Sequence, residues 1–525
     1  MAASWLRDAI FYEIYPQSFF DSNGDGIGDL NGIRQKLDYV RDLGCSALWL
    51  NPCFDSPFRD AGYDVRDYCL VAPRYGTNAD LEALFQAAHD REMHVILDLV
   101  AGHTSEEHPW FLQSQRAERN AYSDRYIWTD FVFRWCRDLT AIAGESERSA
   151  SYITNFFKCQ PALNYGFLRP TEPEWQQRAD SPAALETREA LKDIMRFWLD
   201  RGCDGFRVDM AASLVKHDDA QKSGTSAIWR DVRAMLDRDY PQAVLVSEWD
   251  CPQQALTAGF DCDFYLNNRG NGYTTLMRDY INDPANGVGG DVLTGADHSY
   301  FKKDAGGDIR RFLSDYLARY EATRGRGYIS LITCNHDTVR PSWNLDRRER
   351  ELAFAFLFTM PGVPFLYYGD EIGMRYLPLP TKEGGYFRTG SRTPMQWSGE
   401  RNLGFSTAPA EDLYLPVDDA PDAPNVAQQM RDGASFLSFV RQLLALRRAE
   451  PDLQADAPFS VVCDGPDAPF VYRRGSLICA VNPSGSPRSA ALYAGGWRPL
   501  FETGSCAVTG SRLDLGPQSF AVLRA

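Results

Sequence analysis

Short apolar stretches alternate with longer stretches of helical periodicity along most of this chain. The short stretches are rich in β-branched and aromatic residues, which is typical of strands buried in a sheet. Eight of them occur, at Ala9–Tyr15, Ser46–Leu50, His94–Val100, Asp204–Met210, Ala243–Trp249, Cys262–Leu266, Gly327–Thr333 and Val363–Tyr367. Strands that alternate with helices form a parallel sheet, and eight such units can close into a barrel. We therefore predict an α/β fold, a (β/α)8 or TIM barrel.

The longer stretches between these predicted strands have apolar residues three or four positions apart, as on one face of a helix. They are Leu30–Leu43, Asp80–Arg91, Leu185–Asp200, Ala227–Arg238 and Glu351–Thr359. We expect helices there, packed around the outside of the barrel.

Two regions interrupt this alternation. The irregular stretch after the third strand, about Thr104 to Pro170, is too long for an ordinary loop, so we predict an inserted subdomain at 104–170. A helix near Ala434–Arg448 precedes strand-like pieces separated by Gly, Pro and Asp, which predict a C-terminal antiparallel β-sandwich at 451–525. The barrel would then occupy residues 1–103 and 171–450.

Composition and charge disfavour several classes of function. With 44% hydrophobic and 24% charged residues the chain is that of a globular protein, and its net charge of −16 disfavours nucleic acid or an anionic membrane as partner. The start of the chain lacks the features of a signal peptide and no apolar run is long enough to span a membrane, so we expect a cytoplasmic protein. Twelve Cys without a CxxC pair predict neither disulfide nor zinc site. We expect a monomer or small homo-oligomer that binds a small neutral ligand.

Acidic residues stand at the ends of several predicted strands, where a barrel carries its chemistry. They are Asp98, Asp209, Glu248 and the pair His336–Asp337. One Asp at a strand end is usually a cap or turn residue. Several carboxylates that converge on one barrel mouth are costly to pack, so such a cluster indicates function.

Glycoside cleavage uses two carboxyl groups on either side of the scissile bond, and Asp209 and Glu248 can supply them. Arg207 lies two residues before Asp209 and faces the same side of the strand, so its charge should keep Asp209 ionised, as a nucleophile requires. Glu248 has Val246 and Trp249 as apolar neighbours, and desolvation there should keep it protonated, as an acid requires.

Beyond these carboxylates, the chain resembles the α-amylase superfamily, glycoside hydrolase family 13, and especially its oligo-1,6-glucosidase and α-glucosidase branch. The resemblance spans about residues 8–430. It rests on the motifs AIFYEIYPQSFFDSNGDGIGDLNGI, GYDVRDY, DLVAGHTS, QPALNY, GFRVDMA, SEWD, NHDTVR, PGVPFLYYGDEIGM, SRTPMQW and NVAQQ.

The resemblance implies a role for each matching residue. Asp209 would be the nucleophile with Arg207 beside it, Glu248 the acid/base and Asp337 the third carboxylate. Asp337 would grip the sugar at the subsite before the cleaved bond. The further residues implied at that sugar are His336, His103 and Tyr63.

The resemblance also implies that Asp60 and Arg392 pair across the end of the pocket and bind the terminal glucose. Such a pair would make the enzyme exo-acting on short chains.

A loop near the N-terminus places oxygen ligands at alternating positions, which suits a hard cation such as Ca²⁺. Its residues are Asp21, Asn23, Asp25, Ile27 and Asp29. Gly32 stands where an EF-hand needs its Glu, so this is another kind of loop. In the resembled branch the same loop binds Ca²⁺, with the carbonyl at Ile27 contributing; the alternative is a metal-free Asx/Gly turn. We expect structural Ca²⁺ and no organic cofactor.

Two positions depart from the family pattern. Gly102 stands where most members have Asn before the His, and Met210 follows the nucleophile where the family's residue varies with linkage preference. The linkage therefore stays open.

We expect a retaining exo-acting α-glucosidase for disaccharides or short oligosaccharides. An alternative is a transglucosylase, trehalose synthase or sucrose-acting enzyme that uses the same covalent intermediate. A non-catalytic binding or scaffold barrel is disfavoured, because Asp209, Glu248, Asp337 and Arg207 are all present.

Overall fold

The computed structural model describes residues 3–283, 295–384, 388–493 and 495–525. Eight parallel strands form its central sheet. They are β1 (Phe11–Ile14), β2 (Ala47–Leu50), β3 (His94–Val100), β4 (Gly205–Asp209), β5 (Val244–Ser247), β6 (Cys262–Phe264), β7 (Tyr328–Ser330) and β8 (Phe365–Tyr367). The sheet closes on itself, because β8 pairs with β1 and Ile332, just beyond β7, bridges Phe365 of β8. The predicted barrel is confirmed, and each strand lies within its predicted stretch.

Several helices begin at side chains that cap them. Thr77 and Asp80 form a capping box at the start of α3, and Ser181 accepts from the amide of Ala184 at the start of α5. The α-helices are α1 (Leu30–Gln35), α2 (Leu37–Leu43), α3 (Asn78–His89), α4 (Pro109–Ser114), α5 (Pro182–Leu199), α6 (Ser223–Asp239), α7 (Pro252–Thr257), α8 (Thr274–Met277), α9 (Ile309–Thr323), α10 (Arg347–Thr359), α11 (Val426–Gln429) and α12 (Phe436–Ala449). The predicted helix at Leu30–Leu43 is divided in two, because the backbone leaves helical geometry at Lys36.

The segment after β3 folds around a small core of its own, which includes Ile127, Ile153 and Phe167. Its two short strands, Ala141–Ile142 and Tyr152–Ile153, pair antiparallel. A bridge between His103 and Ala162 ties it to the end of β3. The segment therefore lies at the barrel mouth where β3 ends.

The C-terminal residues form two antiparallel sheets with an apolar core between them. One sheet has the order β9-β10-β11-β16-β13 and the other β12-β15-β14. The strands are β9 (Phe459–Cys463), β10 (Phe470–Arg474), β11 (Leu477–Asn482), β12 (Arg488–Ala491), β13 (Arg498–Thr503), β14 (Cys506–Thr509), β15 (Arg512–Leu515) and β16 (Ser519–Arg524). In the described part of the chain, no helix combines the length and apolar character that crossing a membrane requires.

Candidate active site

The barrel strands bring the predicted carboxylates to one mouth. Asp209 is the last residue of β4, and Glu248 follows β5 directly. Asp337 lies in the loop after β7, while Asp60 and Tyr63 lie in the loop after β2. Because parallel strands all end on the same side of a barrel, residues far apart in the chain meet there.

One guanidinium joins the two residues predicted to carry the reaction. Arg207, with its side chain 1% exposed, has Nη1 3.2 Å from Asp209 Oδ1 and Nη2 2.9 Å from Glu248 Oε2. Its Nη1 also lies 2.8 Å from Oδ1 of the buried Asp98. We call Arg207, Asp98, Asp209 and Glu248 the reaction cluster. Three carboxyl groups there face one cation, so the cluster is short of positive charge.

This imbalance sets the protonation of Asp209. Burial, followed by the neighbouring Glu248 carboxylate, raises the pKa of Asp209 well above its usual range, and Arg207 only partly opposes this. The expectation that Arg207 keeps Asp209 ionised is therefore not supported, because burial and Glu248 outweigh the effect of Arg207 on the pKa of Asp209. Burial and Glu248 thus favour the protonated form of Asp209.

The backbone after the nucleophile position is strained. Met210 has φ 43° and ψ 43°, a left-handed conformation that is costly for a residue with a long side chain. This conformation directs the Met210 amide at Glu248, whose Oε2 accepts its N–H at 2.9 Å. The strained turn thus helps to fix the carboxyl group of Glu248.

Asp337 sits among cations at the other side of the pocket. Its Oδ1 accepts from Arg392 Nη2 at 2.7 Å and from Arg388 Nη1 at 3.1 Å. Arg388 also donates to Asp60. We call Asp60, Asp337, Arg388 and Arg392 the closing cluster.

The expected pair between Asp60 and Arg392 is not formed; Arg388 takes its place. Arg392 is turned toward Asp337, because its Nε donates to the backbone oxygen of His336 at 2.9 Å and its Nη1 lies 3.3 Å from the buried Glu383. Sequence reasoning missed Arg388, whose one signal was its place four residues before Arg392 in the same loop.

The cations around Asp337 outweigh its burial. Although burial raises its pKa, His336, Arg388 and Arg392 together bring the pKa of Asp337 well below its usual range. His336 lies between two carboxylates, with Nδ1 2.8 Å from Glu13 Oε1 and Nε2 3.2 Å from Asp337 Oδ2. Burial opposes its charge, but Asp337 and Glu13 raise the pKa of His336 to about 9. Both groups are therefore charged at neutral pH.

Two further predicted residues line the same mouth. The Tyr63 ring stacks on His336 with centroids 5.3 Å apart, and its hydroxyl donates to Asp98 at 2.9 Å. His103 Nε2 lies 3.0 Å from the Tyr63 carbonyl oxygen, and its Nδ1 lies 3.2 Å from Asn155 Nδ2. Burial lowers the pKa of His103 to about 4, so the ring is neutral. Both of its nitrogens already have partners in the protein.

The inserted subdomain supplies part of the wall. Gln160 donates from Nε2 to Asp60 Oδ2 at 2.7 Å, and the Phe157 ring lies 5.8 Å from the guanidinium carbon of Arg388. Gln160 lay inside the QPALNY motif, but nothing in its spacing signalled a contact with Asp60.

The carboxylates of the predicted calcium loop serve the loop's own backbone. Asp21 Oδ2 accepts from the Gly26 amide at 2.8 Å, Asp25 Oδ1 accepts from the Ile27 amide at 2.9 Å, and Asp29 caps α1 through the Gly32 amide at 2.7 Å. Across the residues with described positions, no three His, Cys, Asp or Glu side chains are arranged to hold a metal ion. The calcium site stays a prediction.

Comparison with known proteins defines the class. The family model described as "Alpha amylase, catalytic domain" matches residues 13–456. This chain belongs to the α-amylase family.

The relatives include proteins named as glucosidases and proteins named as synthases or transfer enzymes. The chain is 32% identical to trehalose synthase/amylase TreS of Mycobacterium tuberculosis, over 94% of this chain and 84% of that protein. It is 31% identical to an oligo-1,6-glucosidase of Heyndrickxia coagulans, over 99% of both chains. Among solved structures it is similar to the α-glucosyl transfer enzyme XgtA, with TM-score 0.79, 27% identity and 100% of both chains covered. Trehalulose synthase MutB from Pseudomonas mesoacidophila, at TM-score 0.78, 24% identity and 100% coverage of both chains, shares the fold.

Proposed function

We propose that this protein is a retaining α-glucosidase that cleaves disaccharides or short oligosaccharides through a covalent glucosyl-enzyme intermediate. The observation that carries the proposal is the shared contact of Asp209 and Glu248 with the Arg207 guanidinium at the barrel mouth. The two carboxyl groups lie on neighbouring strands, so a glycosidic bond between them can be attacked by one and protonated by the other.

In the first step the Asp209 carboxylate attacks the anomeric carbon, while Glu248 gives its proton to the departing oxygen. For this step the proton must lie on Glu248 and not on Asp209. The Asp209 anion in turn stabilises the positive charge that develops at the anomeric carbon in the transition state. In the second step Glu248 removes a proton from water, which attacks the glucosyl–Asp209 ester and gives net retention.

The closing cluster supports an exo mode of action. Asp60, Asp337, Arg388 and Arg392 present fixed charges beside the reaction cluster, and sugar hydroxyls hydrogen-bond well to such groups. The contact between Asp60 and Arg388 joins the loops after β2 and β8, so a pocket and not an open groove accepts the terminal glucose. Because such a pocket accepts only the end of a sugar chain, we expect the substrates to be short.

A second candidate is glucosyl transfer or isomerisation, which uses the same intermediate with a sugar as acceptor. Its support is the likeness to a relative named trehalose synthase/amylase, which is as high as the likeness to an oligo-1,6-glucosidase. Water or sugar attacks the ester according to how the acceptor side excludes water, and a few side chains can change that outcome.

Product analysis tests both candidates. The protein is incubated with maltose, isomaltose, kojibiose, nigerose, trehalose, sucrose and short malto- and isomalto-oligosaccharides, and products are separated by chromatography. Glucose as the dominant product supports the glucosidase and reveals its linkage. New disaccharides or longer sugars support transfer. Proton NMR of the first product gives its anomeric configuration, and inversion would refute the covalent mechanism.

A further inference from the structure

A short loop of the inserted subdomain touches the active site with both of its ends. The backbone N–H of Asn155 donates to the backbone oxygen of Gln160 at 3.0 Å, and this hydrogen bond closes the loop of residues 155–160. Gln160 reaches Asp60 of the closing cluster, as described above. Asn155, at the other end, reaches the loops that follow β3 and β4.

The Asn155 side chain joins those two loops. Its Nδ2 lies 3.2 Å from His103 Nδ1 and 3.3 Å from Ser213 Oγ, and 3.8 Å from the Met210 sulfur. Its Oδ1 accepts from Lys216 Nζ at 2.7 Å, and the same ammonium donates to the Ser213 carbonyl at 2.8 Å. One amide group therefore links His103 to the strained turn beside the nucleophile.

The hydrogen bonds that run from Lys216 through Asn155 and His103 to Tyr63 allow only one assignment of donors and acceptors. The Lys216 ammonium can only donate, so it fixes Oδ1 of Asn155 toward itself and Nδ2 toward His103. The Tyr63 carbonyl can only accept, so His103 carries its proton on Nε2 and its Nδ1 accepts from Asn155. Asn155 thus selects one tautomer of His103.

The space that Asn155 fills exists because residue 102 is glycine. A Cβ at Gly102 would lie 2.6 Å from Asn155 Nδ2, which is too close for an undisturbed contact. Gly102 has no positive φ that would demand glycine, so the constraint comes from its neighbour. Residues 102 and 155 compete for one position beside His103.

We propose that Asn155 is a positioning residue of the active site: from the inserted subdomain it supplies the amide that position 102 lacks, and it holds His103 and the Met210 turn in place for glucosyl transfer. The catalytic part rests on the proposed function. The effect of Asn155 on the tautomer of His103 does not depend on the proposed function, and it can be measured without substrate.

The first experiment is a substitution cycle on kcat and KM. Asn155→Ala removes the amide, and we expect kcat to fall about 10–30-fold with KM changed less than threefold, because positioning acts mainly on the transition state. Gly102→Asn alone should also lower kcat, because the new side chain collides with Asn155. The double variant Gly102→Asn/Asn155→Ala should recover kcat to within about threefold of the wild type, because one amide again fills one space.

The matched control is Lys158→Ala in the same loop. Lys158 is half exposed and pairs with Glu145 and Glu106, away from the reacting groups, so its removal should leave kcat unchanged. A collapse of the whole loop would lower kcat in this variant too and would overturn the specific role of Asn155.

The second experiment observes His103 by ¹⁵N NMR, with His103→Gln used to assign its signal among the seven histidines. The wild type should show the neutral tautomer protonated on Nε2. Asn155→Asp keeps the shape but replaces the donor with a carboxylate, so the pKa of His103 should rise from about 4 by more than two units. A purely structural role would lower the melting temperature without changing this tautomer or pKa.

Two results would overturn the proposal: wild-type kcat in Asn155→Ala, or an unchanged His103 signal in Asn155→Asp. If the sugar panel shows no glucosyl chemistry while the His103 signal responds as expected, the proposed function fails and the positioning of His103 by Asn155 stands.

Discussion

The reaction cluster and the closing cluster are both built from arginine and carboxylate side chains, but they differ in how many cations face the carboxyl groups. In the reaction cluster Arg207 faces Asp98, Asp209 and Glu248, and the pKa of Asp209 is raised, first by burial and then by Glu248. In the closing cluster Asp337 faces two arginines and His336, and its pKa is lowered despite burial.

The difference separates two tasks within one pocket. The reacting carboxyl groups need a proton among them for the first step, and a deficit of positive charge in a buried site favours the protonated form of a carboxyl group. A group that binds a neutral sugar needs a constant charge, and the several cations around Asp337 keep that carboxylate ionised. The comparison predicts that changes in the two clusters affect different kinetic quantities.

The largest effect is expected from the two reacting carboxyl groups. Asp209→Asn and Glu248→Gln change the protonation chemistry with little change in volume, so each should lower kcat about 10⁴-fold or more. Steady-state kinetics measure this, and an unchanged melting temperature is the control. A loss of less than tenfold in either variant would mean that the reaction cluster has another task.

The next effect concerns the closing cluster. Arg388→Ala removes the cation that faces the buried Asp60 carboxylate, while the contact of Asp60 with Gln160 stays. The value of kcat/KM should therefore fall about 100-fold, mostly because KM rises. Asp60→Ala and the double variant complete a cycle, and the double variant should lose little more than either single one. Additive losses would show that the contact between Asp60 and Arg388 does not act as a unit.

Stability should depend on pH through His336. Its folded pKa of about 9 lies above its ordinary 6.5, so its contribution is fully present below pH 6.5 and is lost as the pH rises through 9. The loss amounts to about 3 kcal/mol in the free energy of unfolding. Urea unfolding of the wild type and His336→Gln at pH 6 and 9.5 measures it. Equal pH dependence in both proteins would contradict the charge of this histidine.

The smallest effect tests the deficit of positive charge directly. Asp98→Asn removes one of the three carboxylates around Arg207 and so should lower the pKa of Asp209. The acid limb of the pH profile of kcat/KM should shift to lower pH, by about half a pH unit to one pH unit. A Trp49→Phe variant, which loses the indole contact to Asp98 but keeps an aromatic ring and all three carboxylates, is the control for local packing. An upward movement of the limb would overturn the charge argument.

The sequence determined the fold and the position of the chemistry. Short apolar runs rich in β-branched residues, such as His94–Val100, indicate a buried strand, and helical periodicity follows from which residues can share one face, so both are local properties. Asp209 and Glu248 were predicted at strand ends for the same reason: the strand itself fixes where its last residue lies.

Tertiary structure alone decided how these groups pair. Asp60 and Arg388 lie 328 positions apart, and the loops that carry them determine which arginine arrives. The raised pKa of Asp209 depends on burial and on Glu248 from another strand, and Asn155 reaches His103 from the inserted subdomain. Local pattern cannot predict such contacts, because electrostatics and hydrogen bonding act through space between parts of the chain that only folding brings together.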